Sequence, residues 1–180
     1  RRSSDLQTGS KPKSKELGFV IFVGLVSAAG AIVEGVGIDW SALYSVDKFQ
    51  VITATAAISV TMFASAMAAV RFFADKVVAR FGRIMVIQGG AIIAGLGIAI
   101  ALISPTIDLS WIGWAMAGVG ISAVVPQCMA FGSEIGSTEN HGRNLAKVVG
   151  LTYAGVLGGP AVIGFVGQSL GLQAALSIGV

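Results

Sequence analysis

The chain has 180 residues, of which 54% are hydrophobic and only 12% are charged, and its mean hydropathy is +0.83. A soluble domain carries charge on about a quarter of its residues, so this composition excludes an ordinary water-soluble protein and indicates a membrane protein that contacts the lipid bilayer. The formal net charge of +3 does not indicate a nucleic-acid partner, because the basic residues lie at the ends of apolar segments rather than along one face.

The polar segment 1–16 precedes the first apolar segment and is rich in Ser, Lys and Gly. It lacks the apolar core of a secretory signal, so we interpret it as a flexible cytoplasmic linker or tail. The sequence begins at Arg1 without a methionine and ends at Val180 within a short apolar segment. We therefore expect it to be a piece of a longer protein.

Five apolar segments are long enough to cross a bilayer as helices, which requires about 20 residues, and a sixth is truncated. Continuous segments of this length favour helices over barrel strands, because a spanning segment must satisfy its own backbone hydrogen bonds. The sequence therefore predicts an all-α membrane protein with a helical bundle over 17–180. The predicted membrane segments are 17–37, 46–70, 84–103, 109–131, 145–166 and, truncated, 172–180.

The orientation of the bundle follows from its basic residues. If each segment crosses once, 11 of the 12 Lys and Arg residues fall on one side and only Lys48 falls on the other. The positive-inside rule then places the tail and the loops after the second and fourth segments in the cytoplasm. The residues on that side are Arg1, Arg2, Lys11, Lys13, Lys15, Arg71, Lys76, Arg80, Arg83, Arg143 and Lys147.

Glu34 is the only acidic residue well inside an apolar segment. A charge at that depth costs several kcal/mol unless it is paired, neutralised or exposed to a wet cavity, which makes Glu34 the first candidate for substrate binding or proton coupling. The alternative is a protonated side chain that only bonds a neighbouring helix. Asp39, Trp40 and Tyr44 form a possible cluster at the outer end, for which an interfacial belt is the plainer interpretation.

The loop after the second segment combines one acid with four bases and a glycine. Asp75 could pair with Arg80 or Arg83, or face the positive N-terminus of another helix, and either contact would hold two helices together in one conformation. A plain positive-inside loop explains the bases but not the acid or the glycine. The residues concerned are Arg71, Asp75, Lys76, Arg80, Gly82 and Arg83.

This loop resembles the cytoplasmic motif G-x-x-x-D-R-x-G-R-R of the major facilitator superfamily. The matching elements are Asp75-Lys76 and Gly82-Arg83, whereas Arg71 replaces the leading glycine and the spacer is longer. The fifth segment is similar to the Gly-Pro motif of the fifth helix of a facilitator half, with Gly155, Gly159 and Pro160 providing close packing and a kink. The stretch from Glu34 to Tyr44 resembles the seventh helix of bacterial fucose-permease-like and uncharacterised inner-membrane transporters.

The resemblance implies the C-terminal six-helix half of a twelve-helix facilitator, with its last helix truncated, in a bacterial inner membrane. It implies alternating access to a small-molecule substrate bound near the midplane, between this half and an N-terminal half of the same protein. The coupling ion implied is H⁺, and Asp75, Arg80 and Arg83 would form an inward gate. Substrate candidates are Glu34, Gln127 beside the helix-kinking Pro126, Tyr153 and Asn144.

Other classes of function have less support in the sequence. An intramembrane enzyme would need a nucleophile with a base, or a metal cluster, and neither is visible; no metal or cofactor is expected. His141 stands in a loop with Glu134 and Glu139, which favours a solvated loop over a metal site. An efflux carrier of drugs or metabolites remains an alternative, as do a channel and a non-transporting scaffold.

Overall fold

The structure, a computed structural model, describes residues 14–180. Most of the predicted linker 1–16 therefore lies outside the described residues. The exception is its last three residues, because the first helix already begins at Ser14. Glu16 lies in the first turn of that helix, where a carboxylate interacts favourably with the positive end of the helix dipole.

The described residues form helices joined by short turns, without strands. The α-helices are α1 (Ser14–Gly35), α2 (Ser41–Phe49), α3 (Thr53–Arg71), α4 (Ala74–Phe81), α5 (Arg83–Ile103), α6 (Ile107–Ile121), α7 (Val124–Glu134), α8 (His141–Leu170) and α9 (Leu172–Leu176). A π-helical turn, Val36–Trp40, joins α1 to α2, and 3₁₀ turns occupy Thr138–Asn140 and Ser177–Gly179.

Five of the helical spans in this part of the chain are long and apolar enough to cross a membrane. They are Lys15–Phe49, Thr53–Arg71, Arg83–Ile103, Ile107–Glu134 and Thr138–Leu170. The predicted all-α membrane fold is thereby confirmed.

The first span differs from its predicted bounds. Instead of ending at Gly37, the helix continues through the π-turn and α2 to Phe49, so residues 38–45, left between the first two predicted segments, are helical. The extension is stable because α2 buries one face, including Tyr44. Gln50 ends it in the left-handed conformation, with φ 52°, and the next helix therefore begins at Thr53 rather than at Val46.

The fourth span is broken rather than continuous. Helix α6 ends at Ile121 and α7 begins at Val124. Pro126 explains the break, because it has no N–H to bond the carbonyl of Ser122 four residues earlier. Gln127, one residue later, restores the helical pattern by donating its N–H to the Ala123 carbonyl at 3.0 Å.

Glycines allow α5 and α6 to pack backbone against backbone. A side chain at Gly97 would lie 2.8 Å from the carbonyl oxygen of Gly113, and one at Gly120 would lie 2.5 Å from that of Gly90. Lipid provides no hydrophobic force that would bring helices together, so such close contacts are a principal source of cohesion within the membrane. Trp114 and Phe63 complete the buried core, and neither side chain is exposed.

Candidate functional site

Helices α1 and α8 are held close together by two glycines and a hydroxyl pair. A Cβ at Gly155 would lie 2.5 Å from the Ala28 carbonyl oxygen, and one at Gly159 would lie 3.2 Å from the Ile32 side chain. One turn before Gly155, the hydroxyl groups of Thr152 and Ser27 are 2.7 Å apart and both side chains are buried. The predicted glycine pair therefore lies at a tight interhelical contact.

A cavity of about 350 Å³ opens beside this contact, between α1, α7 and α8. Its volume is at the lower end of the range for small-molecule sites. Its lining includes four residues that were predicted to bind substrate, to couple protons or to form the outer-end cluster: Glu34, Asp39, Trp40 and Tyr153. The remaining lining residues are Ala31, Ile32, Gly35, Ile38, Val125, Met129, Thr152, Gly155, Val156, Gly159, Pro160 and Ile163.

The π-turn places both carboxylates on this cavity. Asp39 lies five positions after Glu34, which would put the two on different faces of a regular α-helix. The i→i+5 hydrogen bonding of a π-turn brings residues at this spacing closer together. The Asp39 carboxylate also folds back along the helix, since its Oδ2 lies 3.7 Å from the Cβ position of Gly35. π-Turns inside α-helices are frequent at functional sites.

Glu34 is paired with an arginine that the sequence analysis assigned only to the cytoplasmic loop. Nη2 of Arg71, the last residue of α3, donates to Glu34 Oε1 at 3.1 Å. Nε of the same side chain donates to the Ser122 carbonyl at 3.2 Å. Pro126 has no N–H to donate to that carbonyl, so the carbonyl can accept the hydrogen bond from Arg71 instead.

Pro160 has a similar effect on the opposite wall of the cavity. Helix α8 continues through Pro160 from His141 to Leu170. The missing N–H of the proline leaves the Val156 carbonyl without its usual helical donor, and both residues line the cavity. The Val156 carbonyl is therefore one further hydrogen-bond acceptor at the cavity.

Trp40 and Tyr44, predicted to act together at the outer end, are separated in the structure. Trp40 lines the cavity, and its indole Nε1 is buried without a hydrogen-bond partner among the described residues. Tyr44 instead lies in the core, donates its hydroxyl to the Leu102 carbonyl at 2.7 Å and contacts Trp114 edge to face. Only 1% of the Tyr44 surface is exposed, so its side chain packs within the protein and does not line the cavity.

Three bacterial proteins match most of this chain. An uncharacterised MFS-type transporter of Yersinia pestis is 33% identical over 159 residues, which are 88% of this chain and 41% of the relative. The uncharacterised transporter y4wD of Sinorhizobium fredii is 30% identical over 83% of the chain, and the membrane protein MosC of Rhizobium meliloti is 29% identical over 87%. The chain belongs to the major facilitator superfamily.

The chain spans about 40% of the length of these curated relatives. That share and the five long helices are consistent with the C-terminal half of a facilitator. No family model and no solved structure matches the chain. Together with the apolar helices, the bacterial relatives identify it as an integral protein of a bacterial membrane.

The facilitator-like loop motif makes different contacts from those that the sequence suggested. Arg83 does not pair with Asp75; its guanidinium forms a two-pronged ion pair with Glu134 of α7, at 2.5 and 3.0 Å. Glu134 was considered only as part of a loop near His141. The pair links the cytoplasm-proximal ends of α5 and α7 under the predicted orientation.

The remaining motif residues lie on a short helix. Asp75 is exposed in the first turn of α4 and has no ion-pair partner among the described residues, so its carboxylate interacts with the N-terminus of its own helix. Lys76 lies over the Phe73 ring at 5.9 Å and Arg80 over the Phe81 ring at 5.7 Å. Gly82 ends α4 with φ 81°, which a side chain would strain.

Gln127 and Asn144, both predicted to bind substrate, lie away from the cavity. The Gln127 Oε1 accepts a hydrogen bond from Arg83 Nε at 3.0 Å, so its amide supports the Arg83–Glu134 pair. Asn144 is buried and donates to the Ile135 carbonyl at 2.9 Å, which fixes the turn between α7 and α8. Sequence spacing could not separate these residues from Glu34, because it does not specify which faces of α7 and α8 turn towards the cavity.

Arg71 and the Ser27–Thr152 pair belong to this region but were not predicted from the sequence. A signal for Arg71 was present, since it replaces the glycine expected at the start of the loop motif. The hydroxyl pair left no comparable signal, because Ser and Thr are common in membrane helices. Among residues 14–180, no three His, Cys, Asp or Glu side chains converge in a way that could hold a metal ion.

Proposed function

We propose that this chain forms one half of a secondary carrier that moves a small solute across a bacterial membrane by alternating access. The relatives named as transporters support carrier activity. The observation that carries the proposal is the cavity between α1 and α8, which places two carboxylates, an indole and a phenol beside helices that pack through glycine. The missing N-terminal half would close the open side of this cavity.

Glu34 is the group that we propose for proton coupling. Its carboxylate lies near the middle of the span Lys15–Phe49 and both lines the cavity and binds Arg71. When Glu34 binds a proton, its attraction to Arg71 is lost, whereas Arg71 can keep the Ser122 carbonyl. Protonation would therefore remove the ion pair that links α1 to α3.

The Arg83–Glu134 pair and the exposed Asp75 are proposed as parts of the inward gate. Arg83 joins α5 to α7 through an ion pair and through the Gln127 amide. Asp75, which has no partner among residues 14–180, is free to bind a group on the N-terminal half. The gate would therefore involve one contact within this half and one between the halves.

Uptake by the full-length transporter in proteoliposomes tests the coupling. A solute library is first screened by thermal shift at two pH values, because binding to the folded state raises the melting temperature. For a solute that binds, we expect Glu34→Gln to reduce proton-driven uptake by roughly tenfold or more, while exchange without a proton gradient is kept.

The matched control is Glu139→Gln. Glu139 is exposed in the 3₁₀ turn Thr138–Asn140 and does not line the cavity, so uptake should be unchanged. Uptake that responds neither to the proton gradient nor to Glu34→Gln would refute the coupling. Flux that never saturates with solute concentration would indicate a channel instead of a carrier.

A further inference from the structure

We propose that the cavity between α1 and α8 selects a positively charged, amine-bearing solute with an aromatic or otherwise apolar body. This inference rests on the proposed carrier function, for which it names the substrate class. It comes from the charges, the rings and the unpaired donor that line the cavity.

The charges around the cavity do not balance. Arg71 compensates Glu34 through the 3.1 Å contact, but Asp39 makes no hydrogen bond or ion pair with any of residues 14–180. The cavity residues from this part of the chain include no Lys, Arg or His. One uncompensated carboxylate therefore remains. Asp39 is solvent-exposed in this chain, so the apolar walls strengthen its attraction for a cation only where a bound solute or the N-terminal half excludes water.

Two aromatic side chains can accommodate the body of such a solute. Trp40 and Tyr153 both line the cavity, and a cation over an indole or phenol ring is stabilised by the ring's negative face. Ile32, Ile38 and Met129 add apolar surface to the same lining. An ammonium group beside Asp39 and an adjacent apolar body would fit this arrangement of groups.

The buried indole N–H of Trp40 adds a requirement for an acceptor. Trp40 Nε1 is shielded from solvent and has no partner among the described residues. An unpaired buried donor is costly, so an oxygen on the bound solute would relieve that cost if binding turns the indole N–H towards the cavity. We therefore expect the preferred solute to carry an acceptor oxygen as well as the ammonium group.

Three probes of one shape and different charge test the proposal. Tyramine is a cation, tyrosol is neutral and 3-(4-hydroxyphenyl)propionate is an anion, and all three share the phenol ring. Their affinities for the purified full-length transporter in detergent are measured by isothermal titration calorimetry. We expect tyramine to bind roughly tenfold or more tightly than either of the other two.

Two variants test whether Asp39 causes the preference for the cationic probe. Asp39→Asn should reduce tyramine affinity by roughly tenfold while tyrosol affinity changes by less than about twofold. Asp108→Asn is the matched control, because Asp108 is an exposed acid in the first turn of α6 and does not line the cavity. It should leave all three affinities unchanged.

Equal binding of the three probes, tighter binding of the anion, or no binding of any of them would overturn the inference. The comparison between probes uses the unaltered protein, so it remains decisive even if Asp39→Asn fails to fold. Tyramine binding that depends on Asp39, together with no transport in proteoliposomes, would refute the carrier function and leave the cavity's preference for cations intact.

Discussion

At the scale of single residues, the most informative feature is that Arg71 donates both to a side-chain carboxylate and to a backbone carbonyl. One is the Glu34 carboxylate and the other is the Ser122 carbonyl, which Pro126 leaves without a helical donor. The two side chains of the ion pair are 44% and 29% exposed, so solvent weakens their attraction relative to a fully buried pair. The ion pair between Arg71 and Glu34 therefore stabilises this arrangement of helices only modestly.

A double-mutant cycle tests this contact. Arg71→Gln leaves the Glu34 carboxylate unpaired, and we expect it to lower the free energy of unfolding by about 1–3 kcal/mol, between the values for exposed and buried pairs. The double variant with Glu34→Gln should lose less than the sum of the single losses. Thermal unfolding in detergent measures all three variants, and purely additive effects would show that the pair is not formed.

At the scale of helices, cohesion depends on where glycine meets backbone rather than on how many glycines are present. The sequence has 25 glycines, and several of them face open space. Gly97 and Gly89 show the difference on one helix, because Gly97 lies against α6 and nothing lies within 4 Å of a Cβ at Gly89. Composition alone could not tell these two positions apart.

Alanine substitutions at these two positions should have opposite effects on stability. Gly97→Ala places a methyl group against the Gly113 carbonyl at 2.8 Å, where backbone must move, and we expect a loss of about 1–3 kcal/mol. Gly89→Ala should be neutral or stabilising by up to about 1 kcal/mol, since alanine favours a helix. Melting temperatures in detergent provide the measurement, and equal losses at both sites would contradict the packing of α5 against α6.

At the scale of the whole molecule, the five spans alternate in direction if each crosses the bilayer once. The turn between α2 and α3 then lies on the side opposite to the turn between α7 and α8. Arg143 and Lys147 follow the latter turn, which the positive-inside rule places in the cytoplasm. The extension of the first span to Phe49 does not change this orientation.

Cysteine labelling tests the orientation. Ile52 and Ser137 are exposed residues in the two turns, and Cys128 is buried. In cells that express the full-length protein without other reactive thiols, an impermeant maleimide should label Ile52→Cys directly. It should label Ser137→Cys only after the membrane is opened; the reverse pattern would contradict the predicted orientation.

The sequence by itself determined the class of fold and the positions of the main helices, because crossing a bilayer demands about 20 apolar residues whatever the tertiary contacts are. It also identified Glu34, Asp39, Trp40 and Tyr153, which the structure brings to one cavity. Only the tertiary structure decided which side chains meet. The break before Pro126 directs Gln127 towards Arg83, and the π-turn carries Asp39 to the same cavity as Glu34. Such contacts depend on helix rotation and on local departures from the 3.6-residue period, which an apolar pattern does not specify.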